Sequence, residues 1–182
     1  MSRPSLFLAL LASVLTVISL TARAASPENT LHLQLKDGRV VIELRPDLAP
    51  KHVQRIKQLV KEGFYDGLTF HRVITGFMAQ TGDPKGDGTG GSKYPDLPAE
   101  FTQTPFKRGT VGAARSSSPN SANSQFFICL EDAAHLNGTY TVWGQVTEGM
   151  QFVDRIKKGT SGDGRVFSPD KIIKMQLASD AR

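Results

Sequence analysis

The 182-residue sequence predicts a mainly β domain, either a sandwich or a closed antiparallel barrel. Three observations carry that prediction. Two alternating apolar runs flank Asp37-Gly38, six further short apolar runs are separated by turn residues, and helical periodicity occurs in only two places.

In chain order, Leu31, Leu33 and Leu35 alternate with His32, Gln34 and Lys36, and Val40, Ile42 and Leu44 alternate beyond Asp37-Gly38. A period of two on both sides of an Asp-Gly pair predicts a hairpin with one buried face. Pro50 to Glu62 predicts a helix. Pro50 suits the first helical position, Gly63 suits the stop, and Val53, Ile56, Leu59 and Val60 fall on one face. The strands expected next are Thr69–Ile74, Phe77–Thr81, Thr110–Ala114, Gln125–Leu130 and Thr141–Val146, the last preceded by a tight turn at Asn137-Gly138. A second helix is expected from Glu148 to Lys158, with Met150, Val153 and Ile156 as its apolar stripe and Gly159 closing it. Ile172–Leu177 is the last expected strand.

Hydrophobic residues make up 39% of the chain and charged residues 21%, with 17 glycines, 10 prolines and one cysteine, which excludes disordered, collagen-like and disulfide-stapled classes. The first 24 residues carry a secretory pattern. Arg3 gives a positive start, Leu6 to Leu20 is a 15-residue uncharged apolar run, and Ala22-Arg23-Ala24 is a small-x-small cleavage pattern. As a helix that run spans about 22 Å, short of a hydrocarbon core of about 30 Å. Residues 1–24 are therefore expected to be a cleavable signal peptide, and 25–182 one domain. Cleavage removes Arg3 and Arg23 and takes the net charge from +5 to +3, with no long basic stripe to support a nucleic-acid role. Cys129 lies inside the apolar run Phe126–Leu130 and reads as a buried, inert thiol.

Several short motifs lead nowhere. Gly86-Asp87-Gly88-Thr89-Gly90-Gly91 matches a dinucleotide fingerprint by letters, but Pro84, Pro95 and Pro98 leave no room for the helix it needs, so a flexible surface loop is expected. Asp83 and Asp87 lack the acidic residue that a calcium loop places between them, and His32, His52, His71 and His135 have no zinc-ligand spacing. Asn137-Gly138-Thr139 spells a glycosylation sequon, but a turn explains it better.

Two segments are more specific: Phe70-His71-Arg72-Val73-Ile74-Thr75-Gly76-Phe77-Met78-Ala79-Gln80-Thr81-Gly82-Asp83 and Ser124-Gln125-Phe126-Phe127-Ile128. Residue by residue they read as ordinary strands, with Phe and Ile as core and Arg72 as a solvated edge residue. Together they closely resemble the cyclophilin family of peptidyl-prolyl cis–trans isomerases, over about Leu31 to Leu177. Gly144 in Val142-Trp143-Gly144 fits a third family segment, and Ala113-Ala114-Arg115-Ser116 before Pro119 resembles the bacterial branch.

The resemblance implies a closed eight-stranded antiparallel β-barrel with a capping helix at each end and a groove on its outer wall. It implies Arg72 as the catalytic residue and Phe77, Met78, Phe127 and Leu136 as a proline pocket. Gln80 and Gln125 would line the groove and orient Arg72, and Arg115 and Ser116 would offer backbone contacts to a peptide. His135 and Tyr140 complete the substrate-binding set. They stand where the best-known eukaryotic pattern has tryptophan and histidine, so weak cyclosporin binding is expected with isomerase activity kept. Thr75 and Thr81 replace a usual proline and glycine.

Those residue types suit the chemistry. Rotation about an X-Pro bond faces a barrier of about 18–20 kcal/mol, and no covalent bond is made or cut, so no nucleophile, metal or cofactor is required. Large apolar side chains can hold the proline ring, and a permanently charged arginine can donate to the nitrogen or carbonyl of the twisted amide. The expected partners are proline-containing unfolded or exported polypeptides, with no nucleic acid and no stable membrane anchor after cleavage. The chain is expected to be a periplasmic monomer. A holdase using the same groove without turnover is the runner-up, disfavoured by the intact Arg72, Gln80 and Phe127. A nucleotide site on the glycine-rich loop is a distant third.

Overall fold

In the computed structural model, which describes residues Ser26 to Ala181, the eight strands are β1 (Thr30–Leu35), β2 (Gly38–Leu44), β3 (Arg72–Ile74), β4 (Met78–Thr81), β5 (Thr110–Ala113), β6 (Phe126–Cys129), β7 (Val142–Glu148) and β8 (Lys174–Leu177). The proposed signal peptide lies outside the described residues. All strand pairs are antiparallel and the sheet runs β3-β4-β6-β5-β7-β2-β1-β8. The mainly β, barrel-type expectation holds, with one qualification at the closing edge. The outermost strands, β3 and β8, share no ladder. Isolated bridges Thr69↔Lys171 and Arg72↔Arg165 join the two edges, and Phe70 N–H donates to the Asp170 carbonyl at 2.9 Å. The expected strands Thr69–Ile74 and Ile172–Leu177 are cut short at this seam, because their outer residues bond to irregular chain.

The hairpin forms as patterned. Leu31, Leu33, Leu35, Val40, Ile42 and Leu44 are all buried, and Leu35 pairs with Gly38. The turn residues are Lys36 and Asp37, one position earlier than the Asp-Gly pair suggests. Gly38 opens β2 instead, and no larger residue fits there, because a Cβ would stand only 2.4 Å from the Phe152 ring that covers it.

Helix α1 (Pro50–Lys61) buries His52, Val53, Ile56, Leu59 and Val60 and packs on β7 and β8. Its N-cap is Ala49, which has no side-chain cap to give. Glu100, from the long β4–β5 connection, does that work: its carboxylate accepts from the N–H groups of Lys51 and His52, each at 3.0 Å, and contacts His52 Nδ1 at 2.6 Å. The second helix, α2, is only Met150–Val153, far shorter than the expected Glu148–Lys158. Beyond Val153 the chain tightens into three-residue bonds, from Arg155 N–H to Phe152 O and from Ile156 N–H to Val153 O. It is then drawn off the helical path, as Lys157 N–H donates to the Asp170 carboxylate and Gly159 N–H to the Val73 carbonyl. Tertiary partners outcompete the helical ladder here.

The wall formed by β4, β5 and β6 is buried on both faces. Inside, Val73, Ala79, Val111, Phe126 and Ile128 join the main core with Tyr65 and Trp143. Outside, Met78, Phe106, Phe127, Cys129, Leu136 and Val142 form a second apolar cluster. Alternation explains the split, because adjacent residues of one strand face opposite sides. Cys129 is free and buried, and burial pushes its thiol up to about 12, so it is inert at neutral pH.

The glycine-rich loop is not slack. The buried Asp83 carboxylate accepts from the N–H groups of Lys85, Asp87 and Gly88 at 2.8, 3.1 and 2.5 Å. Gly90 passes so close that a Cβ would lie 2.0 Å from Asp83 Oδ1. Burial alone would raise the Asp83 pKa, but the N–H groups of Lys85, Gly88 and Gly90 hold it below the ordinary value. A depressed folded-state pKa contributes stability above the unfolded value of about 3.9, lost as the pH falls through the lower folded value. We predict that Asp83→Asn lowers unfolding stability by about 1–3 kcal/mol at pH 7. Urea denaturation should show the gap from wild type narrowing towards pH 3.

Candidate active site

Strand register sets out the site. Arg72 pairs with Gln80 across β3–β4, Gln80 with Phe127 across β4–β6, and Phe127 with Gly112 across β5–β6. Directly paired residues share a face, so Arg72, Gln80 and Phe127 form one row on the outer wall. The row ends at Gly112, where a Cβ would stand 2.6 Å from the Phe127 ring and 2.7 Å from Phe106. The missing side chain is what lets Phe127 lie flat, stacked on Phe106 with centroids 5.8 Å apart. The β5–β7 register also shifts between Val111 and Gly112, beside the site.

A hollow of about 280 Å³ opens on this row. Met78, Phe127 and Leu136 supply its buried apolar surface, with Phe77 and Ala114 beside them. His135 closes one side, its ring 5.1 Å from that of Phe77. Tyr140 closes another, edge-on to Phe127 at 5.9 Å. Arg72, Gln80 and Arg115 form the polar rim, and among the described residues no carboxylate lines the hollow.

The Arg72 guanidinium is held from two sides. Its Nε donates to the Asp163 carbonyl at 2.8 Å and its Nη1 to Gln80 Oε1 at 3.1 Å. Gln80 Nε2 donates to Gln125 Oε1 at 2.9 Å, and Gln125 Nε2 donates to the carbonyls of Gly88 and Gly90 at 3.0 and 2.8 Å. Two backbone acceptors thus fix which way the Gln125 amide points. That orients Gln80 in turn and presents an oxygen to Arg72. Arg72 forms no ion pair among the described residues, so its charge is not neutralised before a ligand arrives.

Arg115 is as firmly placed. Its Nη1 donates to the Ser116 carbonyl and its Nη2 to the Thr139 carbonyl, both at 2.9 Å, and its guanidinium lies 4.4 Å over the Tyr140 ring. Ser116 stands outside the hollow. Its N–H donates to Ser121 Oγ at 2.9 Å and its carbonyl already accepts from Arg115. With Gln125 it lines an adjoining polar cavity of about 440 Å³. Nine of the eleven residues singled out in the sequence therefore meet around one hollow, and Ser116 and Gln125 border it. Asp163 and the Gly88 and Gly90 carbonyls were missed. They act through backbone oxygen, which no side-chain pattern reports.

Comparisons with known proteins fit this geometry. The family model described as cyclophilin type peptidyl-prolyl cis-trans isomerase/CLD matches residues 30–177. A Brucella suis relative, named a probable peptidyl-prolyl cis-trans isomerase, is 62% identical over 174 residues, covering 89% of each chain. The cyclophilin AquaCyp293 of Hirschia baltica superposes with a TM-score of 0.78 at 27% identity, over 88% of this chain and 77% of its own. A cyclophilin type isomerase of Cryptosporidium parvum, solved in the presence of the dipeptide Ala-Pro, gives 0.75 at 26% identity, over 81% of this chain and 98% of its own. With an eight-stranded wall, an apolar hollow and a fixed arginine at its rim, the chain belongs to the cyclophilin-type peptidyl-prolyl cis–trans isomerases.

Proposed function

We propose that Arg72 drives the isomerisation and that the clients are exported polypeptides met in the periplasm. The observation that carries the first half is the unneutralised guanidinium held at the edge of a hollow with no acid in it. In the transition state the amide is twisted, its resonance is broken and the proline nitrogen becomes pyramidal with a lone pair. The apolar walls grip the ring while the preceding carbonyl turns. Arg72 Nη2, which makes no hydrogen bond among the described residues, is the donor left for the nitrogen lone pair or the proline carbonyl. A donor fixed beforehand interacts more strongly with the twisted amide than with the planar one, which is the condition for acceleration. One such donor is worth roughly 3–4 kcal/mol, or two to three decades of rate.

The second half rests on the secretory pattern of residues 1–24 and on the slow exchange of X-Pro bonds in unfolded chains, which limits folding after export. In this reading the mature chain acts as a monomer on transient partners, needs no cofactor and keeps no membrane anchor. His135 packs on Phe77 where the eukaryotic pattern has an indole, so the larger contact area that an indole offers cyclosporin is missing.

Arg72→Ala is expected to lower turnover of a proline-containing test peptide at least about tenfold while leaving circular dichroism unchanged. Full activity in that variant would reject the role. Calorimetric titration with cyclosporin should give affinity far weaker than nanomolar. Fractionation of the native host with N-terminal sequencing should find a periplasmic chain beginning near Ala25, and an intact N-terminus in the cytoplasm overturns the export reading.

A further inference from the structure

A second annex opens on the Arg72 side of the hollow. It has a volume of about 350 Å³, and Arg72, Gln80 and Arg115 line both spaces. Arg165 and Asp163 line the annex beside Arg72, as do His71 and Asp87. Three arginines thus line one space, and none of them forms an ion pair among the described residues. Both acids are engaged by their own loops. Asp163 Oδ1 accepts from Ser161 Oγ and Arg165 N–H at 2.5 and 3.1 Å, and Asp87 Oδ1 accepts from Thr89 N–H and Oγ1 at 2.8 and 2.7 Å. His71 is 5% exposed and neither ring nitrogen has a partner. Burial disfavours its protonation, so the cations here are the arginines.

We propose that this annex receives the carboxylate of an acidic side chain next to the proline, so that the enzyme prefers X-Pro sites flanked by Glu or Asp. The inference rests on the groove being the isomerase site. Three features support it. A planar guanidinium matches a carboxylate in geometry as well as charge. Arg72 and Arg115 are already held by backbone carbonyls and Gln80, so little side-chain freedom is lost on binding. A lysine in the same place would meet three cations against two carboxylates that are already hydrogen-bonded within their own loops, so the balance still favours an anion.

The test compares peptides with Glu or Gln immediately before or after proline. Isomerisation is read by NMR exchange and binding by NMR titration, at about 20 mM and about 300 mM salt. At least one Glu peptide should exceed its Gln partner by about threefold in kcat/KM and in affinity at low salt, with the ratio shrinking at high salt. Arg165→Gln should bring the ratio towards one, and Arg165→Lys should restore most of it. Equal handling of Glu and Gln peptides at low salt, or a preference undiminished by Arg165→Gln, overturns the proposal. If the Gln peptides bind but are not turned over, the isomerase role of the groove fails, and the binding ratio still decides the annex.

Discussion

The orientation of one guanidinium depends on a run of amide hydrogen bonds that begins in a loop. The carbonyls of Gly88 and Gly90 take both bonds that Gln125 Nε2 donates, Gln125 then accepts from Gln80, and Gln80 accepts from Arg72. Each amide has one donating and one accepting end, so a choice made at the loop is transmitted to the arginine. The loop in turn takes its shape from the buried carboxylate of Asp83. A buried acid that never touches the groove thereby governs which atoms face it. The long, half-buried Arg72 side chain would otherwise sample many rotamers, and the order comes from neutral groups that leave its charge intact.

The apolar half of the site follows from a different constraint. A barrel wall normally hides one face and wets the other. Here β4, β5 and β6 carry apolar residues on both, so the outer face needs its own cover. The chain from Phe106 and the turn around Leu136 provide most of it. The cover packs against Met78 and Phe127 without filling the space beside them, and that space is the hollow. Gly112 sets its depth, since only a residue without a side chain lets the Phe127 ring settle against the sheet. Concavity and greasiness are thus one consequence of a doubly apolar wall left partly unroofed.

Much of this was legible in the sequence, for physical reasons that differ by element. Period-two alternation at Leu31–Leu44 and the Pro50 start of α1 are local signals, and both held. The motif around Arg72 and the Ser124–Ile128 segment placed five residues at one hollow, because strand register turns fixed spacing into fixed adjacency, and Arg115, His135, Leu136 and Tyr140 join them from the connecting chain. What failed was decided by distant partners. Asp170 and Val73 draw the chain off the α2 path, and Asp83 stiffens a loop whose glycines promise slackness. The Asp163 carbonyl that grips Arg72 belongs to any residue type and leaves no trace in letters.

The closing edge of the barrel gives the arginine an unusual berth. Arg72 is the first residue of β3, and the Asp163 carbonyl that holds it belongs to the facing lip, which is joined through single bridges and scattered bonds such as Val73 N–H to the Gly164 carbonyl. A join of that kind parts at lower free energy than a continuous ladder. Amide protons of Val73 and Val166, bonded across this join, are expected to exchange in step with one another, and a parting of the lips would also unseat the cation. Loosening of the shell and loss of chemical competence become a single event, felt first where the circle of strands is least complete.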